Sequence, residues 1–319
     1  MMSDKPCERL SGDERGIARA VALLRAGELV ALPTETVYGL AARADSPEAV
    51  AAIYRAKGRP GFNPLIVHVT SLAMARDLAE VDARAERLAA RFWPGPLTLV
   101  LPIRPGAALA PAVTAGLATV ALRQPSHPVI AAVLDRLGLP LAAPSANRSG
   151  GLSPTRAGHV AASLGSAPAA ILDGGACQRG MESTIVALRP RGGWQLLRPG
   201  PIAEAALAEE LGPATPLSVE EGAARIEAPG QLARHYSPGK PLRLEASAPL
   251  PGEYMIGFGA IPGDTTLSAS GDPAEAAARL YACLHSAAAS PQPRIAIAPV
   301  PAAGEGAAIN DRLRRAAAG

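Results

Sequence analysis

Lys57 and Arg59 stand two residues apart in the run Lys57-Gly58-Arg59-Pro60-Gly61-Phe62-Asn63-Pro64, which feeds directly into the apolar stretch Leu65-Ile66-Val67-His68-Val69. Two fixed cations, an amide and an imidazole this close together suit the holding of a phosphate chain. Pro60 and Pro64 lack donors and the glycines favour turns, so the centre of the run is a tight loop at the edge of a strand. Alone, a Lys-x-Arg pair fits a solvated basic loop equally well. The segments that accompany it carry the decision.

Pro33-Thr34-Glu35-Thr36-Val37-Tyr38-Gly39 follows an apolar strand, and its hydroxyls suit a small ligand as well as a Thr-rich turn. Ala143-Pro144-Ser145-Ala146-Asn147-Arg148-Ser149-Gly150-Gly151 follows another; its small residues admit close backbone approach to a nucleotide, and Ser145 and Asn147 supply directional contacts. Asp173-Gly174-Gly175 through Glu182-Ser183-Thr184 repeats the form of strand, glycine turn and hydroxyls, while Arg123 and Arg198 each end a strand. Scattered, these are surface loops and charges. Converging, they would form one cationic concavity above a sheet, where α/β proteins bind ligands. Common motifs are missing: there is no GxxxxGK[ST], Gly257-Phe258-Gly259 does not complete GxGxxG, and neither HExxH nor GxSxG occurs. Histidines 68, 127, 159, 235 and 285 are too scattered to suggest a metal by spacing.

The elements that must position these residues alternate. Helices are expected at Asp13–Ala26, Ser46–Lys57, Leu72–Phe92, His127–Leu137 and Thr155–Leu164. Strands are expected at Leu29–Leu32, Leu65–Val69, Leu97–Leu101, Thr119–Leu122, Leu139–Ala143, Ala170–Asp173, Ser183–Leu188 and Trp194–Leu197. That alternation predicts an α/β domain over 10–211. Periodicity fails over 212–244, where Pro and Gly accumulate, which reads as a connection. Arg234-His235-Tyr236-Ser237-Pro238 is an odd cargo for a passive tether. Residues 245–319 alternate again, with strands at Tyr254–Phe258 and Arg294–Ala298 and helices at Pro273–Ala288 and Asp311–Ala317, a second and smaller α/β domain.

A chain of 319 residues, 48% of them apolar, has room for about two domains with real cores. Aromatic residues are only 3%, which argues against a single-strand binder built on stacking platforms. A net charge of +3 is too small to imply a polyanion partner. Cys7, Cys177 and Cys283 form no CxxC, which fits a reduced, cytoplasmic protein without a cysteine zinc site. The polar start shows no signal peptide, and the longest uncharged run, 105–122, is broken by Pro, Gly and Thr, so no membrane span is expected.

Taken together, PTETVYGL at 33–40, KGRPGFNPLIVH at 57–68, PSANRSG at 144–150, ESTIV at 182–186 and RPGPI at 198–202 resemble the YrdC-type threonylcarbamoyl-AMP synthases in order and spacing. RHYSPGKP at 234–241 and AAGEGAAINDRL at 302–313 resemble the longer, two-domain branch, although Gly304-Glu305-Gly306 is a variant of its ending. The resemblance implies a YrdC-like twisted mixed sheet whose helices form a basic concave site, with a smaller Rossmann-like C-terminal domain. It implies the conversion of L-threonine, bicarbonate and ATP to threonylcarbamoyl-AMP and pyrophosphate, a nucleotidyl transfer. The product supplies a downstream tRNA-modifying threonylcarbamoyl transferase complex acting next to the anticodon. By the same resemblance Lys57, Arg59, Asn63, Thr119, Ser145, Asn147, Ser153, Arg198, Arg234 and Tyr236 would bind ATP. Thr36, His68, Arg123, the Ala143 backbone and Ser183 would bind threonine, Arg123 taking its carboxylate bidentately. The 212–244 segment would then be a lid. Mg²⁺ is expected on the ATP phosphates rather than in a protein cage, and no general base is assigned.

Two rivals stand beside that reading. A double-stranded RNA or tRNA-binding module without turnover would need many backbone contacts, and +3 supplies few. A carbamoyl-phosphate-using relative would carry acylphosphatase-like and cysteine zinc-finger regions, and nothing here matches them.

Overall fold

The computed structural model describes residues 6–190, 192–215, 226–231 and 235–318. Ten strands follow in chain order: β1 (Glu8–Ser11), β2 (Val30–Leu32), β3 (Gly39–Arg43), β4 (Ile66–His68), β5 (Leu97–Pro102), β6 (Thr119–Arg123), β7 (Leu141–Ala142), β8 (Ala170–Asp173), β9 (Thr184–Leu188) and β10 (Trp194–Arg198). Among the described residues they make one mixed sheet in the order β1-β8-β2-β3-β7-β4-β6-β5-β9-β10. The α/β expectation holds.

Successive strand residues point to opposite faces, and the cores follow that rule. Ala31, Leu40, Ala42, Val67, Leu99 and Leu122 face one way, under the helices Pro47–Lys57, Ala83–Phe92 and Ala157–Leu164. On the other face Val30, Leu32, Ala41 and Leu172 are covered by the helices Glu14–Arg25 and Pro128–Leu137. That second face is not roofed by helices throughout. Ile66, Val100, Ala121 and Ile185 meet Ala228 of the connecting segment instead. The concavity lies there.

Three local expectations are corrected. Residues 39–43, where no strand was expected and Gly39 ended a turn, form a central strand; Gly, Ala and Arg carry no strand signal, and pairing with β2 and β7 decides. The expected helix 72–92 is two helices, Leu72–Leu78 and Ala83–Phe92. Asp82 parts them, its carboxylate accepting from the Arg84 and Ala85 amides at 3.0 Å each as a cap. The last helix starts at Glu305, not 311.

A second sheet, all parallel, is built from β11 (Leu242–Arg243), β12 (Glu253–Gly257), β13 (Thr265–Thr266) and β14 (Arg294–Ile297) in the order β11-β14-β12-β13. Helices Pro273–Ala289 and Glu305–Ala317 pack with it. The core of this unit takes in Val37, Leu152 and Met181 from the first sheet's loops, so the two units share one apolar cluster. No described helix is long and apolar enough to cross a membrane.

Candidate functional site

The floor of the site runs along β4. Ile66 and His68 are two residues apart and therefore share a face, about 7 Å from one to the other. The parallel partner β6 sets Ala121 beside Ile66 and Arg123 beside His68. The loop carrying Arg59 enters this floor at the start of β4, and the segment after β7 runs antiparallel along it, with the Ala143 amide donating to the Ile66 carbonyl at 3.0 Å. Around the floor lies a pocket, partly open to solvent, walled by side chains from both ends of β4.

At the His68 end, Arg123 is fixed on three sides. Its Nε donates to the Gly95 carbonyl at 3.1 Å, Nη1 to the Thr36 hydroxyl at 2.9 Å and Nη2 to the Glu35 carboxylate at 2.5 Å. Burial pushes Glu35 up, but Arg123 outweighs it, and the net shift is below the usual carboxylate range. Thr34 organises the turn, its Oγ1 accepting from the Thr36 and Val37 amides at 3.1 Å. His68 is buried, neither ring nitrogen has a partner among the described residues, and burial together with the Arg123 charge holds its pKa at about 3. A neutral imidazole with both nitrogens unspent, on a cavity wall, is set for a ligand. Ser183 completes this end, 2.7 Å from the Thr98 hydroxyl.

At the other end the helix Pro47–Lys57 stops at Gly58, whose φ of 59° is left-handed, and delivers Lys57 and Arg59. Arg59 donates through Nε to the Asn63 carbonyl at 3.0 Å and through Nη2 to Asn63 Oδ1 at 2.6 Å and the Pro64 carbonyl at 2.7 Å. Lys57 Nζ ties down the Ser145 and Asn147 carbonyls at 2.6 and 2.5 Å. Burial, then the neighbouring Arg59, depresses Lys57 well below its ordinary value, and burial brings Arg59 to about 10. Arg198 holds the Ser183 carbonyl at 3.0 Å and hydroxyl at 3.1 Å. Asn63 Nδ2 and Asn147 Oδ1 are buried without partners among the described residues. Three buried basic side chains hydrogen-bonded to neutral groups, and two unspent amide atoms, leave this end short of negative charge, which suits an anion.

The connecting segment roofs the cavity with Pro229, Gly230, His235 and Tyr236. Tyr236 has a left-handed φ of 63°, and the Ser237 amide beside it donates to the Gly150 carbonyl at 2.8 Å. The second unit reaches in behind. Glu182, which lines the cavity, accepts from Ser153 Oγ at 2.5 Å, from Tyr281 at 3.0 Å and from Arg312 Nε at 3.0 Å. Burial alone would raise its pKa, but Arg312, then Arg198 and the Ser153 hydrogen bond, hold it at about 2.

Nine of the expected residues therefore line one cavity: Thr36, Arg59, His68, Arg123, Ala143, Ser145, Ser183, Arg198 and Tyr236. Lys57, Asn63 and Asn147 are buried immediately behind it through the bonds above. Ser153 reaches the wall only through Glu182. Thr119 does not line the cavity; it starts β6 opposite Pro102, four residues and roughly 13 Å from Arg123. Arg234 lies outside the described residues. Sequence reasoning gave no role to Glu35 or Glu182, although both stand inside quoted motifs, and the Tyr281 and Arg312 contacts had no local signal at all.

Residues 22–200 match the Sua5/YciO/YrdC family model, described as telomere recombination, and residues 202–318 match that of the threonylcarbamoyl-AMP synthase C-terminal domain. A threonylcarbamoyl-AMP synthase of Bacillus subtilis is 45% identical over 257 residues, 78% of this chain and 72% of that one. The protein of that name from Pyrococcus abyssi is 43% identical over 231 residues, 71% of this chain and 66% of its own length. The crystal structure of P. abyssi Sua5 complexed with L-threonine superposes with a TM-score of 0.87 at 35% identity, covering 98% of this chain and 97% of the other.

Proposed function

The chain belongs to the Sua5/YciO/YrdC family, in the form with a threonylcarbamoyl-AMP synthase C-terminal domain, and on that premise we propose that it is an L-threonylcarbamoyladenylate synthase. Its substrates in this reading are L-threonine, bicarbonate and ATP. The threonine amine condenses with bicarbonate to a carbamate with loss of water. A carbamate oxygen then attacks the α-phosphorus of ATP, the new P–O bond forming as the bond to pyrophosphate breaks. In class this is nucleotidyl transfer. The mixed anhydride serves a downstream transferase complex that modifies tRNA.

One observation supports this most: a single pocket is walled by Arg123 and Thr36 toward one end of β4 and by Arg59 toward the other, with Arg198 and Ser183 hydrogen-bonded to each other beside it. Arg123 and Thr36, with neutral His68 and Ser183, suit the amino acid. Arg59 and Arg198, with Lys57 bracing the Ser145–Asn147 loop, suit the triphosphate. Held so, nucleophile and phosphorus gain from orientation and from cations placed where charge moves to pyrophosphate. The roof of Gly230, His235 and Tyr236 would keep water from the carbamate and the anhydride.

Mg²⁺ belongs to the proposal only as the ion ATP brings. The donor set does not suit a protein-held cation: no described cluster of three or more His, Cys, Asp or Glu exists, and Glu182 on the wall is bound to Arg312. The RNA-binding reading is not favoured, since the cations of this site are buried and a shape reader needs exposed ones.

The test is pyrophosphate release. Purified protein with Mg-ATP should release it only when both L-threonine and bicarbonate are present. Release indifferent to either co-substrate would overturn the assignment.

A further inference from the structure

Among the described residues none of the cations of the phosphate end is hydrogen-bonded to a carboxylate, yet one carboxylate, Glu182, stands on the same cavity wall within the field of Arg198. A bare anion there would repel a triphosphate. It is not bare, because the last helix of the second unit supplies Arg312, fully buried, whose Nε meets Glu182 at 3.0 Å. The same guanidinium spans the two units through Nη2, which donates to the Pro199 carbonyl at 2.9 Å beside Arg198. Its Cζ also sits 5.3 Å from the ring centre of Tyr236, the roof residue. Arg312 itself does not line the cavity. It touches two groups that do, Glu182 and Tyr236.

We propose that Arg312 is a positioning residue for the nucleotide: it neutralises Glu182 and braces Tyr236, so the cavity attracts ATP only while the second unit is docked. Tyr281 and Ser153 cannot replace it. Both donate to Glu182, but neither brings charge. With Arg312 removed, Glu182 faces the phosphates as an anion and Arg198 is drawn toward it, away from the ligand. The second domain thereby becomes a condition of ATP affinity as well as a support for the lid.

This rests on the ATP reading above, and the test separates the two. Binding of a non-hydrolysable ATP analogue is measured by calorimetry for the full chain, Arg312→Met, Arg312→Met with Glu182→Gln, and Glu182→Gln alone. Arg312→Met should bind at least tenfold more weakly. Adding Glu182→Gln should restore most of that loss, which a merely structural role for Arg312 would not allow. Glu182→Gln alone, which leaves a cation in excess, should bind at least as tightly as the unaltered chain. Unaltered affinity in Arg312→Met, no restoration in the double variant, or a tenfold loss in Glu182→Gln would each overturn the proposal. Should Arg312→Met not fold, the double variant is compared with Glu182→Gln instead: affinities within about threefold support action through Glu182, and a tenfold loss in the double variant would overturn it. If the unaltered chain binds no analogue, the ATP reading itself falls.

Discussion

The Glu35 carboxylate and the Arg123 guanidinium meet at 2.5 Å, both side chains about one-twentieth exposed. Arg123 was expected to grip the threonine carboxylate with its full fork. Three of its five N–H groups are already committed, to Glu35, Thr36 and Gly95. One N–H on each terminal nitrogen is left, which still allows a two-pronged contact but in a single orientation. In the proposed function Glu35 would therefore set the angle at which the amino acid is received.

Glu35→Ala should accordingly do two things. Breaking a buried pair from one side leaves the Arg123 charge uncompensated, a loss of roughly 3–5 kcal/mol in stability. Freed to rotate, Arg123 would also meet threonine less well, raising the KM for threonine more than that for ATP. Denaturant titration and paired substrate titrations check both. A KM for threonine equal to that of the unaltered protein would deny Glu35 its orienting part.

Arg59→Lys tests the fork at the other end. Lysine keeps the charge but cannot bond Asn63 Oδ1, the Asn63 carbonyl and the Pro64 carbonyl together as Arg59 does. The loop would lose its shape while the field stayed. We expect kcat/KM for ATP to fall on the order of a hundredfold, as when one preorganised donor is lost. A lysine variant as active as the parent would mean that charge alone suffices there.

His68 makes stability fall in acid. Its folded pKa is depressed to about 3, chiefly by burial, against roughly 6.5 unfolded. Below pH 6.5 the unfolded chain takes up the proton first, so stability drops as pH falls through that window and is flat above it. By pH 5 the loss from this group alone is about 2 kcal/mol. His235, also held near 3 by burial, adds in the same direction. Melting curves from pH 7.5 to 5 should be steeper in pH for the parent than for His68→Gln, and equal slopes would contradict the argument.

Much of this site was legible because its residues sit at strand ends, where apolar runs break abruptly into Thr, Ser, Asn, Gly and Arg. Lys57, Arg59, His68, Arg123 and Arg198 could be singled out that way. What they touch could not. Glu35 and Glu182 look alike in the chain, yet one pairs with Arg123 of its own sheet and the other with Arg312, 130 residues later. Partners so distant leave no trace in local spacing. The strand β3 was missed for a related reason: Gly39-Leu40-Ala41-Ala42-Arg43 has little preference of its own and becomes a strand by pairing on both edges. Thr119, taken from the resemblance alone, stands at the far end of β6 from Arg123 and outside the pocket lining.

Gly230 offers the sharpest probe of the roof. Its φ of +84° disfavours any side chain, and a Cβ there would lie 2.9 Å from the Tyr236 hydroxyl and 3.0 Å from Arg198 Cδ. Gly230→Ala must therefore lift the roof, shift Arg198, or both, while the two cores are untouched. A raised roof lets water reach the carbamate and the mixed anhydride. The variant should release pyrophosphate with a roughly tenfold lower kcat/KM for ATP, a loss of about 1.4 kcal/mol in transition-state stabilisation. It should also yield more free AMP per pyrophosphate. Chromatographic separation of AMP from threonylcarbamoyl-AMP reads that ratio directly. If the ratio stays at the parent's value while the rate falls, Gly230 serves the Arg198 contact and the roof does not guard the intermediate.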